Sequence, residues 1–158
     1  MSNSTAIPTA PADKAAEHVV VTGSANGFLQ KAAAGRYTFN VDEPLSVGGT
    51  EAAPDPYDYL LAALGACTSM TVGWYARRQE IRLENVTVSL RHSRIHARDC
   101  ADCLTKAGML DRIELDVQLT GAITPEQHAK LMEVAAKCPV HRTLKSEIDI
   151  RLQAAQPG

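Results

Sequence analysis

The chain of 158 residues carries four cysteines, and two of them stand in contexts suited to thiol chemistry. Cys67 ends the small-residue run Ala62-Ala63-Leu64-Gly65-Ala66, and Cys138 sits in Lys137-Cys138-Pro139-Val140-His141-Arg142. Pro139 suits the first position of a short helical turn, which places Cys138 at its cap. Unpaired backbone N–H groups there, with His141 and Arg142 adding positive charge, would favour a thiolate. Taken alone, Cys67 reads more readily as a small core residue, because cysteine is among the most buried side chains. As a pair they could reduce a peroxide: one thiolate attacks the peroxide oxygen, becomes a sulfenic acid and condenses with the second thiol to a disulfide. That chemistry requires the two to meet in space, which spacing alone does not establish.

A second group is His92, His96, Cys100 and Cys103. These are zinc-ligand types, and two histidines four apart on a strand face the same side. The spacing is not that of a zinc finger, and Arg91, Arg94 and Arg98 would repel a cation, so no metal and no other cofactor is favoured. A redox-active Cys100 and Cys103 pair, or two plain exposed thiols in a loop, stand as alternatives.

Sixteen Lys and Arg against 18 Asp and Glu give a formal charge of -2, which implies no attraction to nucleic acid or to an anionic membrane. Residues 1–15 are small, polar and dotted with proline, lack the pattern of a secretory signal, and are expected to be a disordered tail ahead of a single domain over 16–158. The longest apolar stretch, Tyr59 to Cys67, is about half of the ~20 residues that span a bilayer. A cytoplasmic location is expected, in which cysteines are free thiols, metal ligands or redox groups rather than a structural framework.

These side chains must be positioned by an alternation of strands and helices. His18–Thr22 is a β-branched run, Asn26-Gly27 a turn signal, and Tyr37, Phe39 and Val41 keep the strand period, giving an N-terminal antiparallel meander. The Pro- and Gly-containing loop 42–55 precedes a helix opened by Pro56, whose stripe Leu60, Ala63, Leu64, Cys67, Thr71, Trp74 and Tyr75 puts Cys67 on the buried face. Residues 84–92 and 111–119 alternate as two strands around a polar loop. Thr124 caps a second helix ending near Lys137, and Ile148, Ile150 and Leu152 alternate as a final strand. The order predicts an α+β fold with antiparallel sheets over two packed helices. Glu126 and Lys130 read as a solvated helix face.

The stretches Gly48-Gly49-Thr50, Pro54-Asp55-Pro56-Tyr57-Asp58-Tyr59-Leu60-Leu61-Ala62-Ala63-Leu64-Gly65-Ala66-Cys67-Thr68-Ser69-Met70-Thr71 and Cys138-Pro139-Val140-His141-Arg142-Thr143-Leu144 resemble the OsmC/Ohr superfamily, over about His18 to Leu152. The resemblance implies two sheets wrapped around two central helices in an intertwined homodimer, with active sites at the subunit interface. It implies reduction of organic hydroperoxides, Cys67 matching the attacking cysteine and Cys138 the resolving one, with a dithiol such as dihydrolipoamide as reductant. Peroxidase members hold the thiolate ready with an arginine in the first hairpin and a glutamate shortly before the first cysteine. Here Ala25 and Tyr57 stand at those positions, so Arg36 or Asp58 could serve only from a different backbone location, and Arg36 reads at least as well as a solvated hairpin arginine. The departures bring the chain closer to the YhfA-like branch. They also give weight to the alternative of a non-catalytic relative that binds a hydrophobic ligand near Met70 and Trp74 or senses redox state.

Overall fold

A computed structural model describes residues 19–154, so the tail expected over 1–15, and His18, lie outside the described residues. Val19–Gly23 (β1), Gln30–Ala34 (β2) and Tyr37–Val41 (β3) form an antiparallel meander in the order β1-β2-β3. The β2 to β3 reversal needs only Gly35 and Arg36, and Gly35 takes the positive φ of +59° that a two-residue hairpin turn demands.

The loop after β3 is stapled by a buried carboxylate. Asp42 accepts hydrogen bonds from the Glu43 N–H at 2.8 Å, the Thr50 N–H at 3.1 Å, the Thr50 hydroxyl at 2.5 Å and the Ala52 N–H at 3.1 Å. The Thr50 hydroxyl and the three backbone donors outweigh burial and hold its pKa down at about 2. Gly49 lies so close to the Glu43 carbonyl that any Cβ there would collide with backbone. Because the folded pKa is depressed, the contribution of Asp42 to stability is complete above the ordinary carboxylate range and is lost as pH falls from there towards about 2. Wild type is therefore expected to lose melting temperature on acidification more steeply than Asp42→Asn, which starts several degrees lower at neutral pH; parallel curves in a calorimetric pH series would contradict this.

That loop delivers the chain to α1, Pro56–Arg78. Asp55 and Asp58 form a reciprocal capping box, Pro56 occupies the first turn, and Arg77 and Arg78 complement the C-terminal end of the helix dipole. Two long strands follow, β4 (Arg82–His96) and β5 (Met109–Ala122), paired antiparallel along almost their whole length. Their ribbon lies on α1, where Leu90 packs against Gly65; a Cβ there would stand 2.7 Å from Leu90 Cδ1. Helix α2 (Pro125–Ala135), capped by Thr124 as expected, packs on α1 through Val72, Ala76, Leu131 and Ala135. The short α3, Pro139–Lys145, also touches α1.

Two antiparallel sheets and three helices make the α+β architecture that the residue pattern predicts. Two expectations are corrected. The alternation at Ile148, Ile150 and Leu152 forms no strand, and Ile150 and Leu152 are 86% and 99% exposed; among the described residues no strand pairs with them, and alternation without a hydrogen-bonded neighbour is not enough. The buried stripe of α1 is Leu64, Gly65, Thr68, Thr71, Val72 and Ala76, displaced by about one residue from the expected stripe, so Cys67 stands at its margin, half-buried.

The meander is joined to the rest by Tyr59, whose hydroxyl donates to the Asn40 carbonyl at 2.5 Å and whose ring packs on Phe39, and by the Asp42 loop. Val19, Val20 and Val21 are all exposed. With so few buried contacts, amide hydrogens in β1–β3 are expected to exchange before those in β4 and β5; equal protection in both sheets of the monomeric chain would refute it.

Candidate active site

Cys67 lies near the middle of α1 and Cys138 at the N-cap of α3, and the α1–α3 packing brings them together. Pro139 ends the connection from α2 and opens α3, as its missing N–H and fixed φ favour. Cys138 is 0% exposed. Its sulfur accepts the His141 N–H at 3.3 Å and lies 3.4 Å from the Thr68 hydroxyl. The Thr68 hydroxyl has one proton, and the Leu64 carbonyl at 2.9 Å can only accept, so that proton points at Leu64. Cys138 is thereby held from two helices, by Thr68 of α1 and by the His141 N–H of α3.

Cys67 has the Cys138 thiol, the Val140 N–H and the Thr71 hydroxyl as immediate neighbours. Burial pushes its thiol above the ordinary range, the Val140 N–H draws it back, the Cys138 thiol adds to the rise and Thr71 opposes it. A half-buried thiol thus stands over a fully buried one, an arrangement that can be oxidised at the outer sulfur and close a disulfide to the inner one.

The other candidate residues are placed differently. Asp58 is held in the capping box: its carboxylate accepts the Asp55 N–H at 3.2 Å. It precedes Cys67 by nine residues, ~13 Å along the helix, so it does not reach that thiol within its own chain. Arg36 is exposed in the hairpin turn, where it donates to the Tyr37 hydroxyl at 2.8 Å and lies over that ring. His141 contributes its backbone N–H to Cys138; its ring is half-buried, and burial, then the Lys145 charge, hold its pKa below the usual imidazole value. Arg142 is exposed, and its N–H bonds the Cys138 carbonyl at 3.0 Å.

The four possible metal ligands do not converge. His92 stacks on Tyr57 and bonds Asp111 at 2.9 Å, while His96 is exposed at the end of β4. Cys100 and Cys103 are joined to each other as a disulfide, with Cα atoms 5.5 Å apart. Among the described residues no group of three or more metal-ligating side chains is placed to hold an ion. The disulfide lies on the wall of a cavity of about 380 Å³ that also includes Leu64, Arg112, His141 and Leu144. A second depression, about 500 Å³, includes the exposed Met70 but not Trp74, whose ring is covered by Arg78.

Thr68 and Thr71 are the site residues that the sequence reading passed over or treated only as packing. Their signal was the helical period itself: Thr68 follows Leu64 by four and sits one position from Cys67, on the face that is buried.

A family model described as OsmC-like protein matches residues 48–153. The fold is similar to that of the OsmC-like protein of Mycoplasma pneumoniae (TM-score 0.64, 18% identity, 82% of this chain and 86% of that one). An organic hydroperoxide resistance protein OsmC from Legionella pneumophila superposes with TM-score 0.60 at 20% identity, over 86% of this chain and 95% of that one. The organic hydroperoxide resistance protein OhrB of Bacillus subtilis gives 0.56 at 18% identity, over 87% and 96%. No curated protein matches the chain in sequence. Among the described residues no helix is long and apolar enough to cross a membrane.

Proposed function

The chain belongs to the OsmC-like protein family, and on that premise we propose that it is a thiol-dependent peroxidase reducing organic hydroperoxides. The Cys67 thiolate attacks the terminal peroxide oxygen, releasing an alcohol and leaving a sulfenic acid. The Cys138 thiol then displaces water to form a Cys67–Cys138 disulfide, and a dithiol such as dihydrolipoamide restores both thiols while becoming its own cyclic disulfide. The observation that carries this reading is the pairing of a half-buried Cys67 with a fully buried Cys138 beside it. The accessible sulfur meets the substrate and the protected one resolves. The fold's resemblance to proteins described as organic hydroperoxide resistance proteins supports the substrate class.

The working unit is a homodimer in the cytoplasm, with one domain per subunit. Supporting this are the exposed Val19, Val20 and Val21 and the uncovered α1 face of Ala62, Ala63, Ala66 and Met70, apolar surface that a second copy would bury. A non-catalytic relative binding an apolar ligand is the second reading. It is favoured by the raised Cys67 pKa and by the engagement of Arg36 and Asp58 elsewhere.

Stopped-flow oxidation of the reduced protein by cumene hydroperoxide, with mass spectrometry of the products, separates the two. Rapid loss of thiols ending in a Cys67–Cys138 disulfide supports the peroxidase. Oxidation no faster than that of free cysteine at the same pH would sink it in favour of the ligand-binding reading.

A further inference from the structure

The Cys100–Cys103 bond closes a ring over only two intervening residues, Ala101 and Asp102. So small a ring removes less chain entropy from the unfolded state than one closing a long loop, so a purely structural role is weakly motivated. Its location is more informative. The pair shares one cavity wall with Leu64 and His141. Leu64 accepts the hydroxyl proton of the Thr68 that touches Cys138, and His141 gives its backbone N–H to the Cys138 sulfur.

The segment bearing the pair is fastened at its ends, where the Ala97 N–H meets the Gly108 carbonyl at 2.8 Å and Arg112 bonds the Asp99 carbonyl at 3.2 Å. Between those ties the residues 101–107 form no helix or strand, and the exposed Lys106 bonds the Ala101 carbonyl at 3.3 Å. Cys138, by contrast, is wholly buried, so a large external reductant meets the site through Cys67 alone.

We propose that Cys100 and Cys103 are a second redox couple that reduces the site disulfide from within the chain, from a cavity whose wall ends three residues from Cys67 at Leu64 and three residues from Cys138 at His141. The step rests on the peroxidase reading for the origin of that disulfide. As dithiol, one member of the pair attacks the Cys67–Cys138 disulfide as thiolate, forming a mixed disulfide and releasing one site thiolate, which takes up a proton. The other member then displaces the second site sulfur. The products are the Cys100–Cys103 disulfide and two site thiols, with two electrons transferred. An external dithiol reduces Cys100–Cys103 and becomes a disulfide itself.

The test uses the full-length reduced protein and two oxidants. With cumene hydroperoxide, alkylation at successive times followed by peptide mass spectrometry is expected to find Cys67–Cys138 first and Cys100–Cys103 after it. In Cys67→Ser, formation of Cys100–Cys103 should slow at least tenfold. With one equivalent of diamide, which oxidises thiols without peroxide chemistry, Cys100→Ser or Cys103→Ser should trap the remaining loop cysteine in a mixed disulfide with Cys67 or Cys138. Absence of that mixed disulfide in both variants, or a Cys67–Cys138 bond that persists beside reduced Cys100 and Cys103 in wild type, overturns the relay. Trapping by diamide without hydroperoxide consumption keeps the relay and removes only the peroxidase reading. The wild-type time course needs no substitution, so the outcome does not depend on a variant folding.

Discussion

Cys67→Ser is expected to lower the rate of cumene hydroperoxide consumption on the order of 10³-fold or more, to the level of incidental thiols. Removing a covalent nucleophile leaves no alternative first step, and losses of that size or larger follow such deletions. Cys138→Ser should behave differently. Cys138 is buried and its sulfur already has Thr68 and the His141 N–H as partners, so it is placed to resolve rather than to attack. The variant should consume about one equivalent per subunit at a near-normal rate and stop at a Cys67 sulfenic acid that dimedone captures, with no further turnover. Serine conserves size and can keep both hydrogen bonds, so a folding defect is not expected. The opposite pattern, Cys138→Ser inert and Cys67→Ser capturing dimedone, would reverse the two roles and restore the order that the helix-cap argument alone favours.

The second large effect is in pH. Burial and the neighbouring Cys138 thiol raise the Cys67 pKa, so at neutral pH the reactive thiolate is a minor species. The second-order rate constant for hydroperoxide should therefore climb ~tenfold per pH unit from about pH 6 to 8 and level off only above the ordinary thiol range. The sign for stability is the opposite. A group whose pKa is raised on folding binds its proton more tightly in the folded state. Its stabilisation is complete below the unfolded thiol pKa and is lost as pH rises through the folded one. Alkaline conditions thus speed the chemistry while weakening the fold, and Cys67→Ser should lose both dependences. A rate already flat at neutral pH would mean that a cation reaches Cys67 from outside its own chain, as a partner subunit's arginine would.

The elements that rest on local rules were legible in the residues. Pro56 and Asp55 mark the start of α1, Thr124 and Pro125 that of α2, and Cys138 with Pro139 that of α3, because capping needs particular side chains at particular offsets. The site cysteines were legible as candidates for the same reason. What depends on long-range contact was not. The face of α1 that becomes buried is decided by Leu90 closing on Gly65 and by α2 packing on Val72 and Ala76, which shifts the stripe and leaves Cys67 at its edge. The alanine-rich β2 carries little strand propensity of its own and is held by neighbours on both sides. Ile148 to Leu152 has the strand pattern and finds no partner strand among the described residues. Arg36 and Asp58 are candidates only as substitutes for the family's arginine and glutamate, and the hairpin and the capping box claim them first.

The slender attachment of the meander has a bearing on how the protein fares under heat or denaturant. The elements that hold the two thiols, α1 with β4, α2 and α3, make their contacts with one another and with the ribbon, whereas β1–β3 hang on Tyr59 and the Asp42 staple. Opening of the first three strands therefore need not separate Cys67 from Cys138. A subunit parted from its partner can shed part of its surface and still be oxidised and reduced at its centre, so loss of shape and loss of redox competence become separate events with separate thresholds.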